Sequence, residues 1–133
     1  MIVVIDASAA AEIAAKTQAG VDYINVLMRS EKVLAPELFI AEICNVMWKL
    51  GRKDEANKDT YAEMANDCID FIDEYASASD LWREALRLSQ DHGHAVYDML
   101  YAALARRHDA TLLTMDEKLC DICGQINVRI KKV

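Results

Sequence analysis

The chain has 133 residues, a formal net charge of −7, 53% hydrophobic and 28% charged residues, with four Gly and one Pro. This length fits a single domain, residues 1–133, able to bury a core without disulfides, and the composition excludes low-complexity and disordered classes. The acidic balance argues against nucleic-acid binding through a broad basic surface, but carboxylates that recruit divalent cations would invert the charge locally.

The start MIVVID is followed by neither a long apolar span nor a small-residue cleavage site, which predicts no signal peptide, no membrane helix and a cytoplasmic chain. Ile2 to Ile5 are four β-branched residues in succession, the pattern of a strand buried on both faces. Asp6 or Ser8 then caps an Ala-rich helix reaching about Thr17, and Gly20 is expected to break it. Val21, Ile24, Leu27 and Met28 space a second helix. Lys32 to Ala35 reads as a short strand, with Pro36 at a helix start.

The third helix is expected from Glu37 to Leu50, stopped by Gly51, with Leu38, Ala41, Val46 and Leu50 buried. Lys53 to Ala65 reads as a polar helix. Ile69, Phe71 and Ile72 fit either a strand or the end of that helix. Ser77 or Ser79 caps a helix with Leu81, Ala85 and Leu88 on one face. After Gly93, a helix from about Val96 to His108 carries apolar Met99, Leu100, Ala103 and Leu104. Ala110 to Met115 is an apolar strand, a short helix follows Asp116, and Ile126, Val128 and Ile130 alternate as a last strand. Strands alternating with helices predict an α/β fold with a mainly parallel sheet.

The four cysteines are Cys44, Cys68, Cys120 and Cys123. Cys120 and Cys123 form a C-x-x-C, but neither a second such pair nor an H-x₃₋₅-H accompanies it, so buried small side chains are favoured over zinc or redox chemistry. Lys49, Arg52, Lys53, Arg106 and Arg107 could touch phosphate, yet cations favour helix C-termini in any case. His92 and His94 read most plainly as a turn around Gly93, and Tyr97 and Tyr101 as packing rather than base-stacking residues. Asp121 is an extra acid or plain surface.

Sites in parallel α/β sheets form beyond the carboxyl ends of the strands. Asp6 follows strand IVVI there, and Asp116 follows strand TLLTM in LLTMDEKL. Two further acids interrupt apolar helices: Asp98 in HAVYDMLYAALA and Glu42 in PELFIAEICNVMWKL. Taken singly, capping, the helix dipole or solvation explains each. Together they match a hard divalent cation, because burying unpaired carboxylates costs several kcal/mol that a shared cation offsets. Oxygen ligands without a His cluster suit Mg²⁺ or Mn²⁺.

VVIDAS, the E-x-x-N of Glu42 and Asn45, YDMLYAALA and LLTMDEKL, in that order, resemble the PIN domain, specifically the small VapC-type toxins. The resemblance spans Ile2 to Val128 and implies a three-layer α/β/α sandwich and a metal-dependent endoribonuclease leaving a 5′-phosphate and a 3′-hydroxyl. It maps the metal-binding acids onto Asp6, Glu42, Asp98 and Asp116, with Ser8, Thr114 and Asn45 in supporting or substrate-binding positions. It also implies an RNA substrate, a homodimer and a cognate antitoxin protein; the apolar helix bearing Trp48 fits such an interface, and Trp82 raises the same question. Two rivals stand beside it. A haloacid-dehalogenase-like phosphatase would want a second Asp where Ser8 stands, and a non-catalytic PIN-fold module would leave the acids as caps and surface.

Overall fold

The computed structural model describes residues 1–133. Its strands are β1 (Ile2–Ile5), β2 (Lys32–Pro36), β3 (Glu74–Ala76), β4 (Thr111–Leu113) and β5 (Arg129–Lys131). Its helices are α1 (Ala7–Ala14), α2 (Gln18–Arg29), α3 (Leu38–Gly51), α4 (Lys58–Asp70), α5 (Ala78–His92), α6 (Val96–Arg107) and α7 (Glu117–Gln125), with a 3₁₀ turn at Glu55–Asn57. The strands form one sheet in the order β3-β2-β1-β4-β5, parallel throughout.

This order places the site. The chain builds outward from β1 to β2 and β3, then returns to lay β4 on the other side of β1. At such a reversal the connections leave in opposite directions and open a crevice at the carboxyl ends of the two strands. Ile5 pairs with Leu113, so Asp6 and Thr114 emerge side by side, and the Asp6 N–H donates to the Leu113 carbonyl at 3.1 Å. Strand β1 can sit at the centre because Val3, Val4 and Ile5 are fully buried. Helix α6 packs across β1, β2 and β4 and is covered by α5, which explains why every residue from Met99 to Ala105 is buried.

Several local expectations change. Helix α1 ends at Ala14; Lys16, with φ 57°, turns the chain, and Thr17 caps α2 by accepting from the Gly20 N–H at 3.0 Å. Thr17 therefore starts a helix instead of ending one, and Gly20 lies inside α2. A Cβ on Gly20 would stand 2.1 Å from the Glu12 carbonyl oxygen and 2.8 Å from the Ile13 Cα. The glycine permits close approach of α1 and α2 and breaks nothing. Gly20→Ala should lower stability by roughly 2 kcal/mol, the usual scale of overpacking against atoms that cannot yield. The readout is the urea midpoint at constant m-value; a wild-type midpoint would remove this account.

Pro36 ends β2 opposite Ala76 and does not open α3. Ile69 lies in α4 and Ile72 just beyond it, so that segment finishes a helix and is not a strand. The buried face of α3 is Phe39, Ile43 and Met47, while Ala41 and Leu50 are exposed and Leu38 and Val46 half-buried. Helix α3 is apolar nearly all round, so periodicity could not choose its inner face; contact with α1 and α4 did. In α2 the buried residues are Gly20 and Tyr23, with Val21 and Met28 exposed. Of the last apolar alternation, only Ile130 lies within β5.

All four cysteines are free; Cys68, Cys120 and Cys123 are buried, in keeping with a packing role, whereas Cys44 is exposed. No helix is long and apolar enough to cross a membrane.

Candidate metal centre

Three of the four predicted acids stand at helix N-termini, and all three of those helices begin at the crevice. Asp6 caps α1: its Oδ1 accepts from the Ala9 N–H at 3.0 Å. Asp116 caps α7, accepting from the Leu119 N–H at 3.0 Å. Asp98 lies in the first turn of α6, where the helix dipole favours negative charge. Capping and clustering are thus both true of Asp6 and Asp116. An N-cap needs one carboxylate oxygen: Asp116 leaves its second open, while the second oxygen of Asp6 accepts from Thr114.

Two hydroxyls fix Asp6. Ser8 Oγ donates to Oδ1 at 2.6 Å, and Thr114 Oγ1 donates to Oδ2. Each hydroxyl also accepts from the β4–α7 loop: Ser8 from the Met115 N–H at 2.9 Å, Thr114 from the Asp116 N–H at 3.1 Å. The ends of β1 and β4 are thereby tied into one unit around a carboxylate that is only 6% exposed. Burial pushes the Asp6 carboxyl above its ordinary range, its three hydrogen bonds pull it back down, and the Asp98 charge adds to the rise.

Glu42 arrives from α3. The buried Tyr101 of α6 donates its hydroxyl to Glu42 Oε1 at 2.6 Å. Burial raises the Glu42 pKa, the Tyr101 hydrogen bond lowers it, and the Asp98 and Asp6 charges raise it further. Tyr101 is itself held well above the usual phenol range, by burial first and then by its bond to Glu42. Tyr101 is therefore a packing residue, as its spacing suggested, with a polar tip in the site; Tyr97 is 63% exposed and packs little.

His94 is the residue that sequence reasoning underweighted. Gly93, with φ 62°, ends α5 in the left-handed conformation, and His94 follows at once. Its Nε2 lies 2.6 Å from Asp98 Oδ2. One ligand atom each from His94, Asp98 and Asp116 lie within 4.8 Å of one another; Asp6 and Glu42 are not members of that group, though both feel the Asp98 charge. The spacing of His94 four residues before Asp98 was the available signal, obscured by the ordinary turn chemistry of Gly93. Asn45 is exposed on α3 and Asp121 is exposed on α7.

The donor set fits a divalent cation. No lysine or arginine forms an ion pair with Asp6, Glu42, Asp98 or Asp116. Asp98 Oδ1, Asp116 Oδ2 and Glu42 Oε2 accept no hydrogen bond from the protein. Mutual repulsion with open oxygens and no lysine or arginine partner is a concentration of charge that a cation relieves. Three of the candidate cations are engaged elsewhere: Arg106 and Arg107 both pair with Glu84, and Arg52 lies over the Trp48 ring.

Known proteins share this architecture. Ribonuclease VapC3 of Pyrobaculum aerophilum is 27% identical over 123 residues, which is 91% of this chain and 94% of that protein. The crystal structure of PAE2754 from Pyrobaculum aerophilum matches with a TM-score of 0.74 at 24% identity, covering 92% of this chain and 84% of that one. VapBC2 from Rickettsia felis, bound to a DNA fragment from its promoter, matches with a TM-score of 0.70 at 15% identity over 98% of each chain. A family model described as the PIN domain matches residues 3–125, and the chain belongs to the PIN-domain family.

Proposed function

We propose that this protein is a metal-dependent endoribonuclease, the toxin of a toxin–antitoxin pair. The observation that carries the reading is the grouping of Asp98 and Asp116 with His94, with Asp6 and Glu42 near enough to feel the Asp98 charge. Its likeness to a named ribonuclease along nearly its whole length supports the choice of RNA as substrate.

Asp6, Asp98 and Asp116 would hold Mg²⁺ or Mn²⁺, with Glu42 completing the set. When bound, such a cation lowers the pKa of an attacking water and offsets negative charge developing on the phosphoryl oxygens. The chain's own residues prepare that event. Ser8 and Thr114 hold Asp6 in one orientation, so no rotamer search is needed when the substrate arrives. Tyr101 does the same for Glu42. The N-termini of α1, α6 and α7 lie beside Asp6, Asp98 and Asp116, where the helix dipole favours negative charge.

The partners belong to the same reading. Ile40, Trp48 and Leu50 of α3 are exposed, and Trp48 borders a groove of about 550 Å³ between α3 and α4. An unspent apolar helix face suits a second copy of the chain and an antitoxin. A monomer by light scattering at micromolar concentration would count against the dimer.

The test of the activity is cleavage of a mixed RNA pool by chelator-treated protein. Adding Mn²⁺ or Mg²⁺ should restore cutting, with 5′-phosphate and 3′-hydroxyl ends. Cleavage that persists in chelator, or no cleavage with either ion, rejects the proposal.

A further inference from the structure

His94 is the one cluster member whose donor atom is not oxygen. We propose that His94 Nε2 is a direct ligand of the divalent cation, beside Asp98 and Asp116, and that it tilts the site toward transition ions such as Mn²⁺ and away from Mg²⁺. This rests on the metal-dependent reading above.

Geometry is the first support. Two ligands each roughly 2.2 Å from a common ion lie at most about 4.4 Å apart. The chosen atoms of His94, Asp98 and Asp116 already lie within 4.8 Å of one another, so a closure of a few tenths of an ångström suffices. Placement is the second. The left-handed Gly93 reverses the chain between α5 and α6 and throws the imidazole back over the first turn of α6. There the His94 side chain is only 15% exposed, and the Asp98 side chain beside it 29%. Chemistry is the third. No protein group bonds Nδ1, so the ring can carry its proton there and present the Nε2 lone pair. Imidazole suits transition ions, while Mg²⁺ prefers oxygen ligands and keeps its waters.

The competing role is positioning: His94 could serve only to steer Asp98 through the 2.6 Å hydrogen bond. Two variants separate these roles. His94→Gln keeps a donor for Asp98 but removes the imidazole nitrogen; His94→Leu removes both. Metal-stripped wild type loaded with Mn²⁺ should show ¹⁴N coupling in electron spin echo spectra, and both variants should lose it. By calorimetry, His94→Gln should weaken Mn²⁺ binding about tenfold or more, the scale on which changes to a metal site act, and weaken Mg²⁺ binding far less.

Mn²⁺-loaded wild type without ¹⁴N coupling overturns the proposal. So does a His94→Gln protein with the wild-type ratio of Mn²⁺ to Mg²⁺ affinity, which would make His94 a positioning residue. Wild type that binds neither ion sinks this inference together with the metal-dependent reading. Wild type that binds Mn²⁺ through nitrogen yet cuts no RNA leaves the ligand assignment standing and removes only the ribonuclease.

Discussion

Asp6→Asn should silence cleavage while making the metal-free protein harder to melt. The two effects have one cause. Asp6 is a buried carboxylate in the field of Asp98, so in the absence of a cation its charge opposes folding. Asparagine is nearly isosteric and keeps an oxygen facing the donors from Ser8 and Ala9. Its amide nitrogen meets Thr114 Oγ1, which can rotate to accept. Losing an anchoring ligand should remove about 4 kcal/mol of transition-state stabilisation, or roughly 10³-fold in kcat/KM. The metal-free melting temperature should rise by about 3 °C, the shift that roughly 1 kcal/mol produces in a domain of this size. A structural accident at Asp6 would lower both; a cap alone, replaced by Asn, would change neither.

Asp98→Asn is the second large effect, and it links activity to pH-dependent stability. Wild type with a divalent ion at about 100 times its Kd should gain roughly 2.7 kcal/mol of stability over the metal-free protein. In Asp98→Asn that gain should vanish, along with cleavage by about 10³-fold.

The sign of the pH effect follows from the raised carboxyls. Asp6 and Glu42 are pushed above their ordinary values of 3.8 and 4.5, so the metal-free fold binds protons more tightly than the unfolded chain. The stability they contribute is full below those ordinary values and is lost as pH rises through the raised folded ones. Metal-free wild type should therefore gain stability as pH falls from neutrality toward 4.5, and saturating Mn²⁺ should flatten that slope. Glu74, lowered by its hydrogen bond and ion pair with Lys32, runs the other way, but that pair is exposed and screened. Urea midpoints across pH, with and without metal, check both parts; equal slopes would refute the coupling.

Legibility varied along the chain for physical reasons. The elements read well where burial leaves one pattern. IVVI reads as a strand covered on both faces, and the stretch around Met99, Leu100, Ala103 and Leu104 reads as an apolar helix, whose burial on nearly all sides the structure adds. Leu81, Ala85 and Leu88 mark the inner face of α5 because they share one helical stripe. Helix α3 failed that test, since an apolar periphery carries no phase, and its inner face turned out to be Phe39, Ile43 and Met47. Gly20 was misread because a glycine required by a neighbouring backbone looks, in sequence, like a glycine that ends a helix. Asp6, Glu42, Asp98 and Asp116 stand out in the sequence because a carboxylate at the end of a buried strand, or inside an apolar helix, conflicts with its surroundings.

The sequence by itself determined the alternation of strands and helices, and hence a parallel sheet, since period and burial are local properties. It also determined which acids were out of place. Only the tertiary structure decided that β4 lies against β1, because strand order depends on contacts more than a hundred residues apart. That pairing sets Thr114 against Asp6 and brings Asp116 to Asp98 and His94. Turn geometry turned His94 from a loop residue into a member of the cluster. Proximity between distant residues is a product of the whole fold, and no window along the chain contains it.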